Sequence, residues 1–201
     1  KNWVEADADV CECIDFAAFY AHEALRYGGS QKVHPLPGER PEQRYLPLGV
    51  VVVIPPWNFP AAILGGMTFA ALVTGNTVVL KPSSDTPTIG AKVAEMIVEA
   101  GFPAGVFNFV PGSGATAGSA MVEHPKTRMV AFTGSKEVGL DIVARAAVAQ
   151  PGQIWIKRVI AEMGGKNAII VDESVDVGKQ LLDVFRNAEV HGVLPMLCAG
   201  L

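Results

Sequence analysis

The run Gly49-Val-Val-Val-Val-Ile54, closed by Pro55-Pro56, constrains this chain more than any other stretch. It is far shorter than the ~20 residues that a membrane span requires. It carries no polar residue on either side of the alternation, so a strand built from it must be covered on both faces. Strands of that kind belong to parallel sheets wrapped by helices. The rest of the chain supplies the wrapping. Short β-branched or aromatic runs at Thr77–Leu80, Val106–Val110, Met129–Phe132 and Ala168–Val171 alternate with helical stretches at Ala61–Val73, Thr88–Ala100, Ala115–Glu123 and Lys136–Ala147. Strand alternating with helix predicts an α/β fold with a doubly wound, mostly parallel sheet.

Ahead of the sheet, apolar residues recur at helical spacing from Asp9 to Tyr27 (Ile14, Ala17, Ala21, Ala24, Leu25), and Gly28-Gly29 ends the segment. Asp9 with Glu12 has the spacing of a capping box, which places the helix start at Asp9. The chain has 201 residues, half of them hydrophobic, with a net charge of −4 and no basic block. That balance argues against a nucleic-acid partner. Cys11, Cys13 and Cys198 are too few for a disulfide framework, and Cys11-Glu-Cys13 lacks zinc spacing. His22, His34, His124 and His191 are scattered, so no metal site is expected. Lys1 begins no signal peptide, and the absence of an initiator methionine suggests a missing start. Composition shifts near Ser174, which divides the chain into an α/β part over 1–175 and a tail over 176–201. The tail, with a helix over Val177–Glu189, stops on the apolar Val193–Leu201 as though cut short.

In open α/β sheets ligands bind beyond the carboxyl ends of the strands, so the residues just after each run carry the information. After Ile54 come Pro55-Pro56-Trp57-Asn58-Phe59-Pro60, where Asn58 can offer its amide to a developing oxyanion or can simply be a turn residue. After Leu80 come Lys81-Pro82-Ser83-Ser84, a cation and hydroxyls suited to ribose or phosphate. Two segments compete for a pyrophosphate. Gly112-Ser-Gly-Ala-Thr-Ala117, with Gly114 at its second glycine, has the G-x-G-x-x-A form. Phe132-Thr133-Gly134-Ser135 opens a helix whose free N–H groups favour an anion, with Ser135 either adding a donor or serving only as the N-cap. Glu162 stands between two apolar runs beside Gly164 and Gly165. It is either a harmless carboxylate on a solvent-facing strand or an acid–base group next to a backbone gap.

The order of these motifs is more specific than any one of them. Pro56-Trp-Asn-Phe-Pro60, Lys81-Pro-Ser-Ser84, Gly101-Phe-Pro-Ala-Gly-Val-Phe-Asn108, Phe132-Thr-Gly-Ser135 and Glu162-Met-Gly-Gly-Lys166 together closely resemble the aldehyde dehydrogenase superfamily, from about Trp3 to Asp172. Pro151-Gly-Gln-Ile-Trp-Ile-Lys-Arg-Val159 before Ala161–Ala168 resembles its single-function bacterial Δ1-pyrroline-5-carboxylate dehydrogenase branch, which oxidises glutamate γ-semialdehyde to glutamate in proline breakdown.

The resemblance implies an NAD-dependent oxidation of an aldehyde, with a cysteine thiolate attacking the carbonyl and Glu162 activating the water that releases the acid. It implies Asn58 as the oxyanion amide. It also implies cofactor contacts from Ile54, Pro56, Trp57, Lys81, Ser84, Gly114, Phe132, Thr133, Gly134, Ser135, Val138, Met163 and Gly164. Many relatives have a glutamate in place of Ser84, so NADP is admitted beside NAD. A homo-oligomer without nucleic-acid or membrane partners is implied for the full-length protein, in the cytoplasm or, in a eukaryote, the mitochondrial matrix. The family's nucleophile falls in a Gly-Gln-x-Cys segment, at the place where Met196 stands here, and Leu194-Pro-Met-Leu-Cys198 departs from that pattern. Three readings stay open: a segment of an aldehyde dehydrogenase, a nucleotide-binding module without turnover, and an interaction fragment in which the sheet is scaffold.

Overall fold

The structure is a computed structural model, and it describes residues 1–164, 168–171 and 196–199. Its elements are α1 (Trp3–Gly28), β1 (Val50–Ile54), α2 (Ala62–Val73), β2 (Thr77–Leu80), α3 (Pro87–Glu99), β3 (Phe107–Phe109), a π-helical turn (Gly114–Gly118), α4 (Ser119–Glu123), β4 (Thr127–Thr133), α5 (Lys136–Ala147), β5 (Arg158–Glu162), β6 (Ala168–Val171) and β7 (Met196–Ala199).

Strands β1 to β5 form one sheet in the order β3-β2-β1-β4-β5. Every pairing in it is parallel. The all-apolar β1 lies at its centre, and Val53 is 0% exposed. Alternating side chains of the sheet feed two separate cores. On one face Val51, Val53, Val78 and Leu80 meet Leu64 and Leu72 of α2 and Val93 and Ile97 of α3. On the other Val52, Ile54, Val130 and Phe132 meet Val122 of α4 and Ile142 and Ala146 of α5. Burying an aliphatic side chain of this size stabilises by about 1.5–3 kcal/mol. Helices on both faces make the sheet doubly wound, as the alternation of runs implies.

Three expectations need correction. The first helix begins at Trp3, and its capping box is Asn2 with Glu5. Asp9 lies inside that helix and is 4% exposed. Its sheltered stripe is Ala6, Asp9, Cys13, Phe16, Tyr20 and Ala24, whereas Ile14 and Leu25 point outward. An aspartate at helical spacing looks like a start signal only while its partner is unknown. The stretch Ala115–Glu123 is not one helix, because Gly114–Gly118 winds as a π-turn before α4. Finally, the strand beside β4 is Arg158–Glu162, while Ala168–Val171 pairs with Met196–Ala199 in a separate two-stranded sheet. An edge strand that is half exposed along its length has no continuous apolar run to announce it.

Helices α1 and α2 approach closely because α2 carries Gly65-Gly66. A Cβ on Gly65 would lie 2.5 Å from the Cys13 sulfur, and one on Gly66 would lie 3.0 Å from the Phe16 ring. Burial, with the Asp9 charge behind it, pushes the Cys13 thiol above its ordinary pKa, which suits a packing residue and not a nucleophile.

Candidate functional site

The strand order reverses between β1 and β4, and the crevice beyond their carboxyl ends is where such sheets bind ligands. Register fixes what arrives there. Ile54 pairs with Phe132, and Thr133 pairs with Glu162. Asn58, Lys81, Ser135 and Glu162 therefore follow or end β1, β2, β4 and β5 along one edge of the sheet.

Lys81 is 5% exposed, an unusual burial for an ammonium. Its Nζ donates to the Pro82 carbonyl at 2.8 Å and to the Gly112 carbonyl at 3.3 Å, which joins the end of β2 to the loop after β3. Burial pushes its pKa below the ordinary lysine value. An ammonium has three donors, so the two carbonyls leave one for a ligand. Gly118 lies beneath the stem, and a Cβ there would sit 3.7 Å from Lys81 Cδ. Ser84 is exposed beside it.

The two candidate anion loops differ. The Gly112 loop enters a π-turn in which Ser113 accepts a hydrogen bond from the Thr116 N–H at 3.2 Å, and the α-helix after it spans only Ser119–Glu123. Thr133-Gly134-Ser135 leads into the 12-residue α5. Ser135 is its N-cap, accepting from the Val138 N–H at 3.3 Å. The N–H groups of Lys136 and Glu137, in the first turn, have no acceptor within the helix. Gly134 is required by packing, since a Cβ there would lie 2.6 Å from Cζ of the buried Phe132 ring. Its N–H donates to the Glu162 carbonyl at 3.1 Å, which ties the ends of β4 and β5 together.

Glu162 and Met163 diverge to opposite faces. Met163 packs with the second core, above Gly139, where a Cβ would lie 2.5 Å from its sulfur. The Glu162 side chain reaches the first face and lines a cavity of about 770 Å³ with Phe132, Thr133, Met67, Tyr20 and Ile160. Thr133 Oγ1 donates to the Met67 sulfur at 3.8 Å on that wall. Gly164 follows with φ +144°, a backbone conformation that favours glycine. Gly165 and Lys166 lie outside the described residues.

The cavity thus gathers Glu162, Phe132 and Thr133 from the residues singled out in the sequence. Ile54, Pro56, Trp57, Asn58, Lys81, Ser84, Gly114, Ser135, Val138 and Met163 lie outside its wall. Trp57 and Val138 are exposed, at 48% and 49%, while Ile54 is buried in the second core. Asn58 Oδ1 is buried with no hydrogen-bond partner among the described residues. This cavity and the switch-point crevice are distinct regions that meet at the ends of β4 and β5. Sequence reasoning missed Gly118 beneath Lys81 and Gly139 beneath Met163. A glycine inside a helix costs about 1 kcal/mol against alanine, so Gly139 carried a local signal of close approach. Gly118, inside the expected helix over Ala115–Glu123, carried the same signal without showing that Lys81 lies above it.

The residues present fit a dinucleotide: a 12-residue helix whose first two N–H groups have no acceptor within the helix, a glycine that a side chain could not replace, and a buried ammonium with a donor to spare among the described residues.

Several known proteins resemble this chain. The 1-pyrroline-5-carboxylate dehydrogenase of Geobacillus thermodenitrificans is 58% identical over 177 residues, covering 88% of this chain and 34% of that protein. The crystal structure of 1-pyrroline-5-carboxylate dehydrogenase from Thermus with bound NAD superposes with a TM-score of 0.82 at 55% identity, over 88% of this chain and 34% of that one. Proline utilization A from Bdellovibrio bacteriovorus superposes with a TM-score of 0.85 at 49% identity, over 94% of this chain and 20% of that one. The chain spans about a third of the length of the curated relatives it matches. The family model described as "Aldehyde dehydrogenase family" matches residues 1–191, and the chain belongs to the aldehyde dehydrogenase family.

Proposed function

We propose that this chain is the cofactor-binding part of an NAD-dependent dehydrogenase that oxidises an aldehyde to a carboxylic acid, with glutamate γ-semialdehyde as substrate. The observation that carries the reading is the convergence of Asn58, Lys81, Ser135 and Glu162 on one edge of a parallel sheet. The identity to 1-pyrroline-5-carboxylate dehydrogenases supports the choice of aldehyde.

In this reading Ser135 and the first N–H groups of α5 hold the pyrophosphate, and the third donor of Lys81 with the Ser84 hydroxyl holds a ribose. Ile54, Pro56, Trp57, Gly114, Phe132, Thr133, Val138, Met163 and Gly164 complete the cradle. NAD supplies a hydride acceptor when bound. Asn58 turns its amide Nδ2 to the aldehyde oxygen and stabilises charge that develops there. Glu162 takes a proton at its carboxylate from the water that frees the acid. Its main chain is held at the end of β5, beside the crevice, by the bond from Gly134.

The test is a titration of the chain with NAD and with NADP, following the fluorescence of the half-exposed Trp57, with Trp57→Phe as the control for Trp3 and Trp155. A saturable change with NAD that is weakened at least tenfold in Ser135→Pro supports the reading. A folded chain that responds to neither cofactor at millimolar concentration refutes it.

A further inference from the structure

Helix α2 starts directly after Asn58-Phe59-Pro60, yet its own N-cap, Ala61, has no side chain able to cap it. The cap comes from far away in sequence. Asp9 of α1 accepts from the Ala62 N–H at 2.9 Å through Oδ1 and from the Ala61 N–H at 3.4 Å through Oδ2. Its Oδ2 also lies 3.1 Å from Lys1 Nζ, which in turn sits 4.1 Å from the centroid of the Phe59 ring. A carboxylate that is 4% exposed, placed against the N–H groups of the N-cap and of the first helical residue, suits the positive end of a helix. On its other side the loop is fixed by Pro55-Pro56, whose φ angles are set by their rings. Asn58 is thus held between a proline pair and a carboxylate delivered by a different helix.

We propose that Asp9 is a positioning residue for Asn58: by capping α2 it sets the direction of the Asn58 amide. The role of Asn58 rests on the function proposed above, but the clamp is a property of this chain and can be measured without turnover. The experiment follows amide exchange of the chain by NMR, together with the side-chain NH₂ signals of Asn58, in Asp9→Ala and Asp9→Asn. Asp9→Ala is expected to lower protection of Ala61 and Ala62 about tenfold, the effect of a lost cap. It is also expected to shift or broaden the Asn58 pair while Val130 in the opposite core keeps its protection. Asp9→Asn retains one carbonyl acceptor, so Ala62 should stay protected, Ala61 should not, and Asn58 should recover part of its native signal.

An Asn58 pair unmoved in both variants overturns the proposal. So does a uniform loss of protection through β4 and α5, which would make Asp9 a stability residue only. If Asp9→Ala does not fold, Asp9→Asn alone decides by the same signals. NAD titrated into the same samples separates the two claims, because Lys81 and Ser135 follow other strands, β2 and β4. A native chain that ignores NAD but shows the Asp9 effects defeats the functional reading and leaves the clamp.

Discussion

Replacing Gly134 by alanine puts a methyl group where the structure has no room. The added Cβ would lie 2.6 Å from Cζ and 2.9 Å from Cε2 of Phe132. Carbon atoms in contact stand about 3.5–4.0 Å apart, so the ring would have to retreat by roughly 1 Å. It has nowhere to go, being 4% exposed and packed with Val52, Ile54, Val130 and Ile142. Overpacking of this kind costs about 1–3 kcal/mol, which for a chain of this size lowers Tm by roughly 3–10 °C. The strain also falls on the N–H that Gly134 gives to the Glu162 carbonyl and on the helix start at Ser135, so the response to NAD should weaken with stability. Gly118→Ala is the matched control. Its Cβ would meet Lys81 at 3.7 and 3.8 Å, an ordinary contact in a helical backbone. Its stability should stay unchanged or rise by up to about 1 kcal/mol. Urea unfolding of both variants, followed by circular dichroism, gives the comparison. Gly134→Ala within about 0.5 kcal/mol of the native chain, below the usual cost of overpacking, would refute the reasoning.

Two further outcomes follow from buried polar groups. Asn76 is 7% exposed, and its Oδ1 accepts from the Leu48 and Gly49 N–H groups at 2.7 and 3.0 Å while Nδ2 donates to Ala71 O and Thr74 Oγ1. Asn76→Ala should therefore cost about 2–4 kcal/mol in a urea melt, since it strands donors and acceptors at the entrance to β1; a change below about 1 kcal/mol would count against this satisfied network. Burial lowers the Lys81 pKa in the folded chain, so between that value and the unfolded lysine value the unfolded chain binds more protons. Stability should rise with pH across that alkaline window, and Lys81→Met should flatten the rise measured by melts from about pH 8 to 10. An equal slope in the variant would sink the assignment. Lys157, buried against the Val122 and Glu123 carbonyls with its pKa lowered by the same desolvation, supplies the remainder.

The central part of the sheet was legible because each of its strands is a β-branched run bounded by turn residues. Thr77–Leu80 lies where the run lies, and Val50–Ile54 differs by one glycine. The switch-point residues were legible for the same reason, since the ends of strands can be read once the strands can. Elements whose identity depends on distant partners were not. Arg158–Glu162 becomes a strand only by pairing with Met129–Thr133. Asp9 looked like the cap of its own helix because its chemistry is that of a cap, and only the packing of α1 on α2 shows which helix it serves. Asn76 carries no local sign of its bonds to Leu48 and Gly49, which lie 28 and 27 residues earlier at the entrance to β1.

The order β3-β2-β1-β4-β5 also dictates a sequence of events in time. As the chain leaves a ribosome, β1 can pair with β2 as soon as residues 77–80 appear, and β3 can add next. Its other neighbour arrives only with residues 127–133. Until then the most apolar strand of the protein presents an open edge, and the closure it awaits is a long-range one, entropically slow to form. Half-made sheets with unpaired apolar edges are where chains associate wrongly. The strand that organises the finished crevice is therefore also the one that most needs protection during synthesis.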